Sequence, residues 1–221
     1  HGKTTLVDAM LWQSGVFRAN EQVAERVMDS LDLEREKGIT IRAKNAAFKY
    51  KNFHINIVDT PGHADFGGEV ERIMNMIDGV LLVVDSAEGP QAQTRFVLRK
   101  ALENANPKKV LDQVFELFMS LNATDEQLDF PFIYCSAKEG YAKVELEHVA
   151  GTMEPLFDAI VKHIPPPRAH AGDGFQVLIA NLDYSDYLGR IAFGKIYEGK
   201  VKVGDPAICR HGSGTMSKGK I

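Results

Sequence analysis

The stretch His1-Gly2-Lys3-Thr4-Thr5-Leu6 opens the sequence, and its reading decides the fold. A phosphate-binding loop has the form G-x-x-x-x-G-K-[ST], so Gly2-Lys3-Thr4 matches its second half. The first glycine of the pattern would stand five residues before Gly2. A Gly-Lys-Thr triplet alone is weak evidence, because it arises by chance. Its setting adds weight. Leu6, Val7, Met10 and Leu11 repeat at helical spacing, and Gly15 stands where a C-terminal cap belongs. The triplet therefore opens a helix, where backbone N–H groups and the helix dipole favour a phosphate. Gly2, Lys3, Thr4 and Thr5 are the candidate phosphate residues, with Lys3 reaching the β- and γ-phosphates and the Thr4 hydroxyl given to Mg²⁺.

Three further pieces follow in order. Asp59-Thr60-Pro61-Gly62-His63 comes directly after the apolar run Ile55–Val58. A carboxylate ending a strand is where Mg²⁺ is held, here through water, and Gly62 lets its N–H approach a γ-phosphate. The competing reading is a turn capped by Asp59 and closed by Pro61-Gly62. Thr40, in Gly38-Ile39-Thr40, ends a long charged stretch and can close over Mg²⁺ and the γ-phosphate when a triphosphate is present. Read blandly, it is a Thr opening a strand. Ser136-Ala137-Lys138 ends the apolar run PFIYCSA, where Ser136 and Lys138 could frame a base edge. Each piece is weak singly. Together, in this order and each in a fitting element, they describe one nucleotide site.

The surrounding pattern is α/β. AAFKY and HINIVDT, joined by Lys51-Asn52, predict an antiparallel hairpin. Val80–Asp85 (VLLVVD) and PFIYCSA read as strands buried on both faces, and QTRFVLRKALE, KKVLDQVFELFMSL and PLFDAIVKHI as helices. A further helix is expected with Phe66, Val70, Ile73, Met74 and Ile77 on one face. Strands alternating with helices predict a mostly parallel sheet flanked by helices over residues 1–164. Pro165-Pro166-Pro167 is the linker, and 165–221 read as β only, in FQVLIANLDY, GRIAFGKIYEG and KVKVGDPAICR, part of a small barrel.

The net charge of −4 argues against a general nucleic-acid binder. From Pro165 onward 8 Lys and Arg stand against 5 Asp and Glu, so this mildly basic part only permits an RNA contact. No apolar run approaches the roughly 20 residues of a membrane helix, and no membrane partner is expected. Cys135 and Cys209 lie far apart in sequence, and two buried or free thiols of a reducing cytoplasm are expected over the alternative of a lone structural disulfide.

At HGKTT, GIT and DTPGHADF the chain resembles the translational GTPases, the family of elongation factors Tu and G. Within that family, MDSLDLEREKGITI, GPQAQTRFVL and NATDEQLDFP are similar to the TypA/BipA ribosome-associated GTPases, and LDYSDYLGRIAFGKIYEGKVKVGD looks like the start of a β-barrel second domain. The resemblance implies a P-loop GTPase that binds GTP and GDP with Mg²⁺ and hydrolyses GTP on the ribosome, against ribosomal RNA and proteins. It implies a cytoplasmic protein, expected as a monomer, with roles in stress adaptation and large-subunit assembly. It also implies that His63 positions the attacking water; positioning and charge stabilisation are both open for an imidazole of ordinary pKa about 6.5.

Two departures stand out. The first half of the phosphate loop is missing, and so is the N-K-x-D motif that recognises guanine. Helix runs into helix where that motif and its strand belong. This predicts that the 221 residues derive from a longer polypeptide, with a junction near Glu103–Asn104 and a second near Thr215–Met216. Other readings remain: a ribosomal-RNA-binding module with little hydrolysis, a P-loop hydrolase using ATP, or a relative of elongation factor G or LepA.

Overall fold

The computed structural model describes residues 2–17, 28, 43–61, 72–86, 107–167, 172 and 174–221. The chain divides into two compact units, His1–Val70 with Gly79–Pro165, and Glu71–Asp78 with Pro166–Ile221.

The first unit is built on helix α1, Lys3–Gln13, and the hairpin of β1, Lys44–Tyr50, and β2, Phe53–Asp59. The helix ends at Ser14, and Gly15, at φ 75, takes the left-handed conformation that closes a helix without a Cβ penalty. The expected hairpin is present, turning at Lys51-Asn52 with Lys51 at φ 52. Its register sets Phe48 opposite Ile55 and Ala46 opposite Ile57, so these apolar side chains share one face. That face meets Leu6, Val7, Met10 and Leu11 of α1 in one core.

The expected helices over KKVLDQVFELFMSL and PLFDAIVKHI are also present, as α2, Pro107–Ser120, and α4, Glu154–His163. Leu156, Phe157 and Ile160 of α4 are buried at helical spacing, and the Phe157 ring lies 5.2 Å from that of Phe48 and 5.0 Å from that of Tyr50. Between these helices lie the single turn α3, Asp125–Leu128, and two short strands, β3, Tyr134–Ser136, and β4, Tyr141–Lys143. The turn is fixed by a capping box: Thr124 accepts from the Gln127 N–H while the Gln127 side chain accepts from the Thr124 N–H.

The second unit carries β5, Gln176–Ser185, β6, Gly189–Glu198, β7, Pro206–Arg210, and β8, Met216–Lys220. They pair as two antiparallel hairpins, β5 with β6 and β7 with β8. The segment Glu71–Asp78 belongs here. Lys195 Nζ lies 2.5 Å from Asp78 Oδ1, the Tyr197 hydroxyl donates to the Asn75 carbonyl, and Ile73 is 1% exposed.

Several expectations need correction. Every sheet among the described residues is a two-stranded antiparallel pair, not a parallel sheet. Val80–Asp85 is no strand beyond a lone bridge at Asp85, and Val80, Leu81 and Leu82 are exposed. A continuous apolar run becomes a central strand only where neighbouring strands pair with it, and among the described residues no sheet includes Val80–Val84. PFIYCSA is strand only over Tyr134–Ser136, antiparallel, with Phe132 exposed. In KVKVGDPAICR the strand begins only at Pro206. Thr215–Met216 is the exit of the β7–β8 turn, where the His211 N–H donates to the Thr215 carbonyl at 2.9 Å. Both cysteines are free and exposed. The helix over QTRFVLRKALE and the junction at Glu103–Asn104 lie outside the described residues, as does the first half of the helix expected from Phe66 to Ile77, whose described half is helical only over residues 72–74.

Candidate nucleotide site

Gly2 stands at the N-cap of α1 with φ 84 and ψ 1, a conformation that a residue with a Cβ adopts only under strain. Its carbonyl accepts the first helical bond, from the Leu6 N–H at 2.9 Å. No N-cap side chain bonds the first turn, and the turn contains no acidic residue. A helix start of this kind favours an anion.

Lys3 and Thr4 are half-buried and Thr5 is exposed. Asp59, the last residue of β2, is 3% exposed. The Thr4 hydroxyl donates to Asp59 Oδ2 at 2.7 Å, across 55 residues of sequence. The α1–hairpin packing thus sets a hydroxyl and a carboxylate side by side at the start of the helix. Hard oxygen donors of this kind suit Mg²⁺, which keeps several waters and takes few protein ligands. No group of three or more His, Cys, Asp or Glu stands ready for a metal among the described residues.

Ser136 closes β3 opposite Tyr141 and begins a tight turn. The Gly140 N–H donates to the Ser136 carbonyl at 2.8 Å, and the Glu139 N–H to Ser136 Oγ at 3.3 Å. Ala137 packs against the core and Lys138 is exposed. The turn is tied to the C-terminal end of α1 by Gln13, whose Nε2 donates to the Gly140 carbonyl and whose Oε1 accepts from the Met153 N–H at 2.7 Å. Thr40, Gly62 and His63 lie outside the described residues.

The sequence reading missed Gln13 and Asp8. Asp8 is buried on α1, where Oδ1 accepts from the Met28 N–H at 3.3 Å. An acid set among Leu6, Val7, Met10 and Leu11 on one helix carried the signal. Two clefts among the described residues lie away from Lys3 and Asp59. One, of about 310 Å³, borders Gln13, Ser14, Tyr50, Thr152 and Phe157, and the other, of about 420 Å³, borders Leu178 and Tyr197.

Residues 1–107 match the family described as Elongation factor Tu GTP binding domain. The chain is 52% identical to the large ribosomal subunit assembly factor BipA of Bacillus subtilis, with 100% of this chain matched against 39% of that protein. It is 51% identical to the protein of the same description from Synechocystis, over 100% of this chain and 40% of that one. The likeness to BipA proteins read from MDSLDLEREKGITI and NATDEQLDFP therefore holds along the whole chain, which spans about two fifths of these relatives. Both matches run over 236 residues against 221 in this chain, so the relatives carry residues with no counterpart here. Among solved structures, the chain resembles a protein from Thermus thermophilus (TM-score 0.67, 16% identity, 100% of this chain and 46% of that one). It also resembles a bacterial selenocysteine-specific elongation factor (TM-score 0.65, 20% identity, 99% of this chain and 36% of that one). These two likenesses concern the fold alone.

Proposed function

We propose that this chain is the GTP-binding part of a BipA-type translation factor, a conformational switch that hydrolyses GTP to GDP and phosphate on the ribosome. Residues 1–164 form the GTPase domain, and 165–221 form part of the barrel that follows it. The observation that carries the reading is the Thr4–Asp59 hydrogen bond at the start of a helix opened by a left-handed glycine. It brings together two residues that the sequence pattern assigned separately to one cation.

Lys3 and the first-turn N–H groups of α1 take the phosphates. Thr4 and Thr40 ligate Mg²⁺, and Asp59 holds it through water. When bound, the cation neutralises charge on the phosphate oxygens. Gly62 lends its N–H to the γ-phosphate, His63 orients the attacking water, and Ser136, Ala137 and Lys138 border the guanine. Such chemistry rests on positioning and electrostatics more than on covalent participation by the protein. Ribosomal RNA and proteins are the partners, and the cytoplasm the compartment. No helix among the described residues is long and apolar enough to cross a membrane.

The test is a titration of the full-length protein with GTP, GDP and ATP, with and without Mg²⁺. Guanine nucleotides are expected to bind well ahead of ATP. Thr4→Ala is expected to weaken Mg²⁺-dependent GTP binding at least about tenfold. Preference for ATP, or a Thr4→Ala protein with unchanged Mg²⁺ dependence, overturns the assignment. Turnover measured with ribosomes separates a hydrolase from a docking module that merely binds RNA.

A further inference from the structure

We propose that Gln13 is a positioning residue that sets the base-side turn against the phosphate-binding helix, and so tunes preference for the guanine base. The proposal rests on the guanine-nucleotide reading above and adds a residue to it.

The geometry is that of a two-ended clamp. Gln13 is the last residue of α1, ten residues from Lys3 at the phosphate end. A rigid helix joins the two positions, so the end of α1 is a fixed reference for anything attached to it. Its amide uses both polar atoms. Nε2 donates to the carbonyl of Gly140, and Oε1 accepts from the N–H of Met153, at the N-cap of α4, at 2.7 Å. Gly140 closes the turn that starts at Ser136, and its own N–H returns to the Ser136 carbonyl at 2.8 Å. Ser136, Ala137 and Lys138 lie wholly inside this loop, which is tied at one end by the β3–β4 pairing and at the other by Gln13.

Gly140 fits this arrangement for two separate reasons. Its φ of 71 favours glycine, and a Cβ there would stand 2.9 Å from Gln13 Nε2. A side chain at 140 would push the clamp away. Met153, the other attachment, is fully buried, so that end of the amide is anchored to the core. Only one orientation of the Gln13 amide serves both partners, since a carbonyl must receive the NH₂ and an N–H must meet the oxygen. Gln13 itself is exposed, which limits each bond to the net value of a hydrogen bond in contact with water.

The two atoms can be tested apart. Gln13→Glu keeps an acceptor for the Met153 N–H but sets a carboxylate against the Gly140 carbonyl. Gln13→Ala removes both bonds. In the full-length protein, the dissociation constants of GDP and ADP, measured with Mg²⁺, give the base preference as a ratio, and thermal melting reports stability. Both variants are expected to narrow the GDP-over-ADP ratio by about threefold to tenfold, the range of one hydrogen bond. The ADP constant should hold, because Lys3 and Thr4 are untouched. Gln13→Glu is expected to do this with a melting temperature nearer the wild type than that of Gln13→Ala. An unchanged ratio in both variants, whatever the melting temperature, overturns the positioning role and leaves guanine binding standing. A wild-type protein that does not prefer GDP overturns the guanine reading, and the proposal with it.

Discussion

The two units handle apolar residues in opposite ways. In the first, α1, the β1–β2 hairpin and α4 enclose Met10, Phe48, Met153 and Phe157, none more than 2% exposed. In the second, the hairpins keep Leu178, Ile179, Leu182, Tyr184 and Ile196 more than 40% exposed, and Ile73 is its one buried hydrophobic residue among those described. The difference lies in what each face meets. A hairpin with a helix laid on it has a core, whereas a two-stranded hairpin with no layer against it has only its ladder. Stability should therefore concentrate in the unit that carries α1.

Phe157→Ala breaks this contrast most severely. It removes the ring that both Phe48 and Tyr50 pack on, and should cost about 3–5 kcal/mol in chemical denaturation. Leu182→Ala, at a site 57% exposed, should stay within about 0.5 kcal/mol. Comparable losses at the two sites would show that the second unit hides a core of its own. Gly194→Ala probes the second unit more sharply. A Cβ there would come within 2.2 Å of the Leu178 carbonyl oxygen, beside the register shift at Ile179/Asn181. Forcing the strands apart should cost about 1–3 kcal/mol, and hydrogen exchange should quicken over β5 and β6 while α1 and α4 stay protected.

The smallest effect is at the surface of the first unit. Lys51 Nζ lies 2.6 Å from Asp158 Oδ1, and the Tyr50 hydroxyl donates to the same oxygen at 2.9 Å. These bonds, Lys51 first, hold the Asp158 carboxyl below its ordinary value. A lowered carboxylate contributes stability that is complete above the unfolded value of 3.8 and fades as the pH falls through the folded one. The group is exposed, so the contribution is small and screened by salt. Asp158→Asn should melt slightly earlier at pH 7, and the gap should close below pH 3.8. A gap of constant size across that range would assign the effect to something other than charge.

The local structure was legible wherever neighbours in sequence decide it. The spacing of Leu6, Val7, Met10 and Leu11 gave α1, Lys51-Asn52 gave the hairpin, and PLFDAIVKHI gave α4 as an amphipathic helix. Pairing between distant strands was not legible. Val80–Asp85 has the composition of a central strand, but composition cannot supply the neighbours that make one. Of the site, motif order singled out Thr4 and Asp59, and the hydrogen bond that joins them came only with the fold. Gln13 and Asp8 were not singled out, because a polar residue on a helix names no partner until the fold brings one to it.

The short segment Glu71–Asp78 has a practical consequence for anyone dissecting this molecule. Asp78 and Asn75 find their partners, Lys195 and Tyr197, more than a hundred residues downstream. A polypeptide trimmed after the triple proline would keep the acid and the carbonyl but discard the ammonium and the phenol that meet them. The excised piece would therefore be a poor stand-in for the intact protein, because its Glu71–Asp78 segment would lack the contacts that hold it.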